Sequence, residues 1–498
     1  MMRLLWFMAA ALLSGCAGLG IREELSPAAR ECADWYRAID AEIDAGEVRD
    51  AQDTRLAGFP YLRTSRLLAS FRSEAAASAQ VLQALANRMQ ALDLDARRHE
   101  IANLAPERLA APPGASAEHA KNVALRRTQD CGRLLQEIDL AVPERRAALL
   151  ERINVPDDYS AVSRIVGLYA VTKIPFSQGV RRYQDEVRAD FARELAPPPG
   201  GWLVRFAPPA PLDLDRAPVA AMLARAAEDP LGIPQPVSRE LHALLAAYAP
   251  SFEIEVTGDH DRFGELRLLR GAATPMVDAS APAVYANLAW TRYRDRVLLQ
   301  LVYTLWFAER PPDGSMDILA GKLDGVTWRV TLDPEGEPLL YDAMHPCGCY
   351  HMFFPTPRAE PIPAPAEEVD WAFVPQRLPV IAPGERPLVR IAARTHYVER
   401  VSVVTGADSL ARYRLLPYDE LRSLGDPGGG RRSLFGPDGL IAGTERPERF
   451  LFWPMGIASA GAMRQWGRHA TAFVGRRHFD DADLIERRFK LAIPERLR

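Results

Sequence analysis

The densest concentration of reactive side chains in the chain is His345-Pro346-Cys347-Gly348-Cys349-Tyr350-His351. Two thiols and two imidazoles fall within seven residues. Thiolate sulfur and imidazole nitrogen are the soft and borderline donors that suit Zn²⁺ or copper. Zinc is the cofactor that His345, Cys347, Cys349 and His351 would hold as one set. In an extended strand all four would share a face, but alternate residues stand ~6.6 Å apart. Sulfurs on one zinc must come within ~4 Å of each other, because Zn–S bonds are near 2.3 Å. Convergence therefore requires Pro346 and Gly348 to break the strand. Three other chemistries fit the same residues. Cys347 and Cys349 could pair as a disulfide across Gly348. One could act as a nucleophile with His345 or His351 as its base. Both could be buried thiols at a tight turn.

The remaining candidates are scattered. His396 sits in a strand-like run, His469 and His478 flank an Arg-rich segment, and His260 lies between Asp259 and Asp261 in a turn-like stretch. Gly428-Gly429-Gly430-Arg431-Arg432 offers amides and guanidinium groups to an anion, or simply a hairpin loop. Trp306, Phe307 and Arg310 end a long apolar strand, with Asp317 and Asp324 in the segment that follows. The H-E-x-x-H, G-x-S-x-G, P-loop and G-x-G-x-x-G patterns are absent, which lowers the expectation for those hydrolase and nucleotide-binding classes.

The 498 residues are 48% hydrophobic and 25% charged, with 41 prolines. This is globular composition, and the length suggests more than one domain. A formal net charge of −4 provides no basic excess for neutralising phosphates, so nucleic acid is not an expected partner. The basic residues are nearly all Arg; only Lys121, Lys173, Lys322 and Lys490 are Lys. With so much Ala, that bias reads as GC-rich coding rather than as phosphate recognition.

Arg3 precedes a short apolar run, Leu4 to Leu13, which is too short to cross a ~30 Å hydrocarbon core. It reads as an export signal. The Leu13-Ser14-Gly15-Cys16 tetrapeptide resembles the lipobox of bacterial lipoproteins. That resemblance implies cleavage before Cys16, a diacylglycerol thioether on its sulfur and an acyl chain such as palmitate on its amino group. Ala17 in the following position implies sorting to the outer membrane; the body would be a periplasmic or surface domain, with the periplasmic face expected. Residues 1–15 would then be a signal peptide and 16–25 a tether, and the membrane would be a partner through the lipid.

Export also favours oxidised cysteines. Cys32 shares an apolar helical stripe with Tyr36, Ile39 and Ile43, and Cys131 shares another with Leu134, Leu135 and Ile138. A Cys32–Cys131 disulfide between two packed helices is expected; two buried free thiols are the alternative. Closing so long a loop would contribute ~4–5 kcal/mol in the chain-entropy treatment.

Residues 26–195 read as a helical bundle, opening on Ser26-Pro27 and continuing through helical runs near 73–103, 117–140 and 159–194. A Pro-rich loop at Ala111-Pro112-Pro113-Gly114 separates two of them. Residues 196–216 read as a Pro-rich linker. From 217 to 498 the pattern is that of a β-rich domain, with short helices at 217–227 and 238–247 and a terminal helix near 480–489. Val297–Phe307 is apolar on both faces, and Val326, Trp328, Val330 and Leu332 alternate with polar residues. The fold class expected is α+β, an N-terminal helical bundle followed by a mainly antiparallel β domain with a C-terminal helix. The functional expectation is a lipid-anchored envelope protein acting as a periplasm-facing binding or assembly factor with a Cys/His site, with an envelope protein as a possible partner. An envelope hydrolase or transferase using a Cys nucleophile or bound zinc is the alternative.

Overall fold

A computed structural model describes residues 26–493 except 110–113, 115, 197–198, 210–215, 367 and 406–410. The Leu13-Ser14-Gly15-Cys16 motif, the tether and most of the Ala111–Gly114 loop lie outside the described residues. The fold is α+β. Among the described residues eight α-helices come first: α1 (Pro27–Ala45), α2 (Arg66–Ala69), α3 (Arg72–Ala77), α4 (Ala79–Asn103), α5 (Ala117–Ala141), α6 (Pro143–Arg152), α7 (Ala161–Val166) and α8 (Tyr169–Ala192). A hairpin of β1 (Thr54–Leu56) and β2 (Phe59–Thr64) is inserted among them.

Local signals account for the helix ends. Ser26 caps α1, its Oγ accepting from the Ala29 N–H, and Pro27 follows where no donor is needed. Ser78 is extended and caps α4 through the Val81 N–H, so the run expected over 73–103 is two helices. Helix α1 buries Ala29, Ala33, Tyr36, Ile39 and Ile43, a 3–4 spacing that forms one stripe. That stripe packs on α5, and the two helices are joined by the Cys32–Cys131 disulfide, with sulfurs 2.11 Å apart across 99 residues of sequence.

The second half is built on strands β3 (Trp202–Ala207), β4 (Ser251–Val256), β5 (Glu265–Arg267), β6 (Met276–Asp278), β7 (Ala283–Tyr293), β8 (Arg296–Arg310), β9 (Gly321–Leu332) and β10 (Pro338–Met344). These are followed by β11 (Met352–Pro355), β12 (Ala359–Pro361), β13 (Glu385–Ile391), β14 (Val398–Thr405), β15 (Ala411–Arg412), β16 (Arg414–Pro417), β17 (Leu424–Gly425), β18 (Arg431–Arg432) and β19 (Phe489–Leu491). Helices α9 (Arg216–Ala226), α10 (Ser238–Tyr248), α11 (Arg449–Phe452) and α12 (Leu484–Arg488) complete the elements. Six strands form a sheet in the order β11-β10-β9-β8-β7-β16, antiparallel except for β16 on β7. Five form a second sheet, β14-β13-β4-β3-β15, with parallel β13–β4 and β15–β3 pairs.

The two sheets share one core. Leu299, Leu301, Tyr303, Leu305 and Phe307 of β8 and Val326, Trp328 and Val330 of β9 meet Phe252 and Ile254 of β4 and Val389 and Ile391 of β13. The opposite face of the larger sheet is also buried but polar, carrying Gln300, Thr304, Thr327, Arg329, Thr331 and Asp342. The C-terminal segment covers it: Arg329 Nη1 donates to the Phe479 carbonyl.

Three features differ from the sequence expectation. The stretch read as a 196–216 linker contains β3, because Trp-Leu-Val-Arg-Phe-Ala is long enough to pair with β4 once the fold brings that edge alongside. Helix α8, read as part of the helical bundle, packs Val187 and Phe191 into the sandwich core. The terminal helix is shorter than 480–489 because β19 begins at Phe489 and pairs with β12.

Candidate functional site

The Cys/His segment is a hairpin connecting β10 to β11. The Gly348 N–H donates to the His345 carbonyl at 2.8 Å, and the His345 N–H donates to the Cys349 carbonyl at 2.9 Å. Gly348 has φ +91°, and a Cβ there would come within 2.4 Å of the Ala470 carbonyl oxygen, so only glycine fits this turn. Cys347 and Cys349 are free thiols in contact: the Cys349 N–H lies 3.4 Å from Cys347 Sγ. The hydrogen bond to Cys347, and then burial, push the Cys349 thiol well above its ordinary range, which keeps it protonated.

The two histidines turn to separate partners. His345 Nδ1 is 3.2 Å from Asp324 Oδ1 and its Nε2 is 3.2 Å from the His396 carbonyl. His351 Nε2 is 2.8 Å from Asp342 Oδ2, on a carboxylate that Arg329 grips with two bonds of 2.9 and 2.6 Å. Burial drives His351 down to about 3 and also lowers His345, so both are neutral imidazoles near pH 7. His345, Cys347, Cys349 and His351 are 3%, 2%, 7% and 5% exposed, which leaves no route for a substrate.

Asp324 organises the interior beside the hairpin. His396 Nδ1 is 3.0 Å from its Oδ2, and Arg446 Nη2 is 3.4 Å from its Oδ1. Burial works against the Asp324 charge, but His345, Arg446 and His396 hold it well below the usual carboxylate range. His396 also approaches Asp261 at 3.5 Å and stacks on Phe307 with ring centroids 3.9 Å apart. Burial opposes its protonation, yet the two flanking carboxylates raise it. The result is a matched chain of charges, Asp261–His396–Asp324–Arg446, in which each group already has its partner.

The structure therefore does not gather His345, Cys347, Cys349 and His351 around one point. Among the described residues, the group of three metal-type donors with atoms all within 4.8 Å is Asp95, His99 and Asp419. Arg422 Nη1 already contacts both of those carboxylates, so a guanidinium occupies the position a cation would take. The other candidate histidines, His469, His478 and His260, are engaged as well. His469 Nε2 is 3.1 Å from the Pro346 carbonyl, with burial driving it to about 3. His478 lies between Asp157, Asp158 and Asp481, and His260 sits in a single 3-10 turn against Asp261. The glycine-rich run is the β17–β18 hairpin turn, with Arg431 donating to the Ser423 carbonyl.

A second region has the opposite character. A cavity of about 600 Å³ opens between α4, α10, β7, β16 and the loop bearing Trp466. Its wall is mixed: Leu67, Leu92, Leu241, Leu288, Trp290 and Trp466 are apolar, while Gln52, Arg98, Gln235, Ser238 and His242 are polar. Four carboxylates face it: Asp53, Asp95, Asp419 and Asp480. Asp95 and Asp419 are held by Arg422, and Asp480 by Arg66 at 3.0 Å. Asp53 has no ion-pair partner within 4 Å among the described residues; its nearest donor is Gln52 Nε2 at 3.4 Å. Burial raises its carboxyl to about 7, against the pull of Arg422. Asn287, also on the wall, has a buried side-chain oxygen with no donor. A cavity of similar size, about 580 Å³, lies beside α9, but its aspartates include Asp229 and Asp333, which are paired with Arg88 and Arg358.

None of the Asp53 cavity residues was a sequence-level candidate. They come from eight separate stretches, and a lone Asp followed by Thr-Arg-Leu has no distinguishing pattern. No family model, no curated protein and no solved structure matches the chain.

Proposed function

We propose that the protein is a lipid-anchored binding protein of the cell envelope, and that it holds a small, mainly apolar ligand in the Asp53 cavity. The observation that carries this reading is one buried carboxyl with no ion-pair partner within 4 Å among the described residues, in a partly apolar recess of about 600 Å³. Recesses of ~300–1,000 Å³ with apolar walls and few polar groups are the usual form of small-molecule sites. A carboxyl raised to about 7 is partly protonated near neutral pH, so it can donate to or accept from a polar group on the ligand. The burial and protonation of Cys349 favour binding over thiol chemistry, because a nucleophilic cysteine needs thiolate character and access. The anchor rests on the lipobox resemblance at Cys16, and the disulfide between Cys32 and Cys131 suits an oxidising compartment.

The test is a titration with the neutral fluorescent probe N-phenyl-1-naphthylamine. The wild-type chain should bind it saturably with one site. Ala91 is exposed at the cavity mouth on α4, so Ala91→Trp should block entry without disturbing the core. Unchanged probe binding by that variant would remove the cavity from the account. Mass spectrometry of the chain extracted from membranes should show acylated Cys16; a free thiol there would remove the anchor.

A further inference from the structure

Nine of the sixteen large apolar side chains exposed among the described residues belong to two segments that pack on each other. On α7 and the start of α8, Val162, Ile165, Val166, Leu168, Val171 and Ile174 are 57–74% exposed. Phe450, Leu451 and Trp453, in and just after α11, are exposed beside them. The segments are fastened together. The Ser160 N–H donates to the Gly456 carbonyl at 2.8 Å, Arg164 Nε donates to the Met455 carbonyl at 2.8 Å, and the Phe176 and Phe452 rings lie 5.4 Å apart.

A surface helix ordinarily turns its apolar stripe inward. Here Val162, Ile165 and Val166 stand at i, i+3 and i+4, and Val171 and Ile174 at i and i+3, and all of them point out. Leu168 joins the two helices with φ +50°, a left-handed conformation that glycine would adopt at lower cost. Its side chain is exposed, so no packing within the chain offsets that strain.

The charge within residues 160–184 is of one sign, and the exposed Asp185, paired with Arg188, and Glu186 begin only at the next turn of α8. Residues 160–184 contain Arg164, Lys173, Arg181 and Arg182 and no Asp or Glu, within a chain whose net charge is −4. Lys173, Arg181 and Arg182 are exposed and have no carboxylate within 4 Å among the described residues. Arg181 stands at i+7 from Ile174, two turns along the same face. In the second segment Arg449 accompanies the aromatics, and Glu448 is buried. Apolar side chains with aromatic residues and unpaired cations at their margin match the boundary between acyl chains and anionic headgroups. Among the described residues no helix is long and apolar enough to cross a membrane, so such a face would lie on a bilayer rather than span it.

We infer that the α7–α8–α11 face docks on an anionic phospholipid surface, with Ile165, Val166, Phe450 and Trp453 at the acyl boundary and Lys173, Arg181 and Arg182 at the phosphates. This contact is independent of the acyl group at Cys16 and of the Asp53 cavity. It would fix how the folded body sits on the membrane, which a single point of lipid attachment does not.

The experiment uses the full mature chain carrying Cys16→Ser, so that no lipid is attached, in flotation with phosphatidylglycerol or phosphatidylcholine vesicles. Binding to phosphatidylglycerol and much weaker binding to phosphatidylcholine are expected. Each cation at an anionic surface is worth roughly a fivefold gain, so Lys173→Gln with Arg181→Gln and Arg182→Gln should weaken flotation about 100-fold. Ile165→Ser with Phe450→Ser should weaken it on both lipids. Brominated acyl chains should quench tryptophan fluorescence, and Trp453→Leu should remove most of that quenching while still floating. All substituted side chains are exposed, and unchanged melting would show that the variants fold. Absence of flotation on phosphatidylglycerol, equal flotation by the serine variant, or full quenching in Trp453→Leu would each overturn the inference. So would a face that captures an envelope protein but never vesicles.

Discussion

The hairpin around Cys349 and the cavity around Asp53 both gather titratable side chains, but they differ in what those groups have left to offer. At the hairpin, His345 and His351 each contact a buried carboxylate, Asp324 has three cationic or imidazole neighbours, and the thiols contact each other. In the cavity, Arg422 and Arg66 satisfy three carboxylates and Asp53 is left over, beside open volume. Density of reactive residue types marks the first region, and unused capacity with access marks the second. Buried polar groups with every partner in place hold a structure together, whereas a desolvated group without one is available to a ligand.

The largest effect that separates the two regions is on stability. Asp324→Ala should cost about 3–5 kcal/mol, because Arg446 would remain buried without its counter-charge and His396 would keep only Asp261. Urea unfolding measures this, and a loss below about 1 kcal/mol would mean the chain of charges is not a structural core. At Asp53 the sign reverses. Its folded carboxyl is raised from 3.8 to about 7, so its favourable contribution is complete below about pH 4 and is lost as pH rises through 7. Asp53→Asn should therefore stabilise the protein by about 2 kcal/mol around pH 8, within a ceiling of about 4 kcal/mol, and by little at about pH 4. The same gain at both pH values would show that Asp53 ionises normally.

A smaller effect is expected at the thiols. Cys349→Ser should cost about 1 kcal/mol, and iodoacetamide should label native Cys347 and Cys349 no faster than the chain unfolds. Rapid labelling of one thiol, or stoichiometric zinc that leaves with Cys349→Ser, would return catalytic or metal chemistry to the hairpin. The smallest expected change is that of Ala91→Trp, within about 0.5 kcal/mol of wild type while abolishing probe binding. That pairing of lost binding with retained stability is what distinguishes a cavity from a core.

Much of the framework follows from local pattern. The apolar run at 297–307 lies in β8, covered on both faces, and the alternation at 326–332 lies in β9 with Trp328 inward and Arg329 on the polar face. Ser26-Pro27 starts α1, and Asp333-Pro334-Glu335-Gly336 turns β9 into β10, the Gly336 N–H donating to the Asp333 carbonyl. Cys32 and Cys131 lie on stripes that face each other. In contrast, β3 was hidden between proline clusters, since a six-residue strand is recognisable only by the partners it pairs with. The parallel pairs β13–β4 and β15–β3 join segments far apart in sequence, which no local period encodes.

Residue type and spacing, then, were enough to determine the α+β class, the helix caps, the central strands and the chemical inventory of the Cys/His hairpin. Only the tertiary structure decided that those thiols and imidazoles are enclosed and matched, that Asp53 lies in a partly apolar recess without an ion-pair partner, and that the α7 stripe faces outward. The physical reason is that periodicity and capping act over a few residues. Desolvation, pairing and access depend on what distant segments bring to the same place, and those three decide whether a side chain supports the fold or meets a ligand.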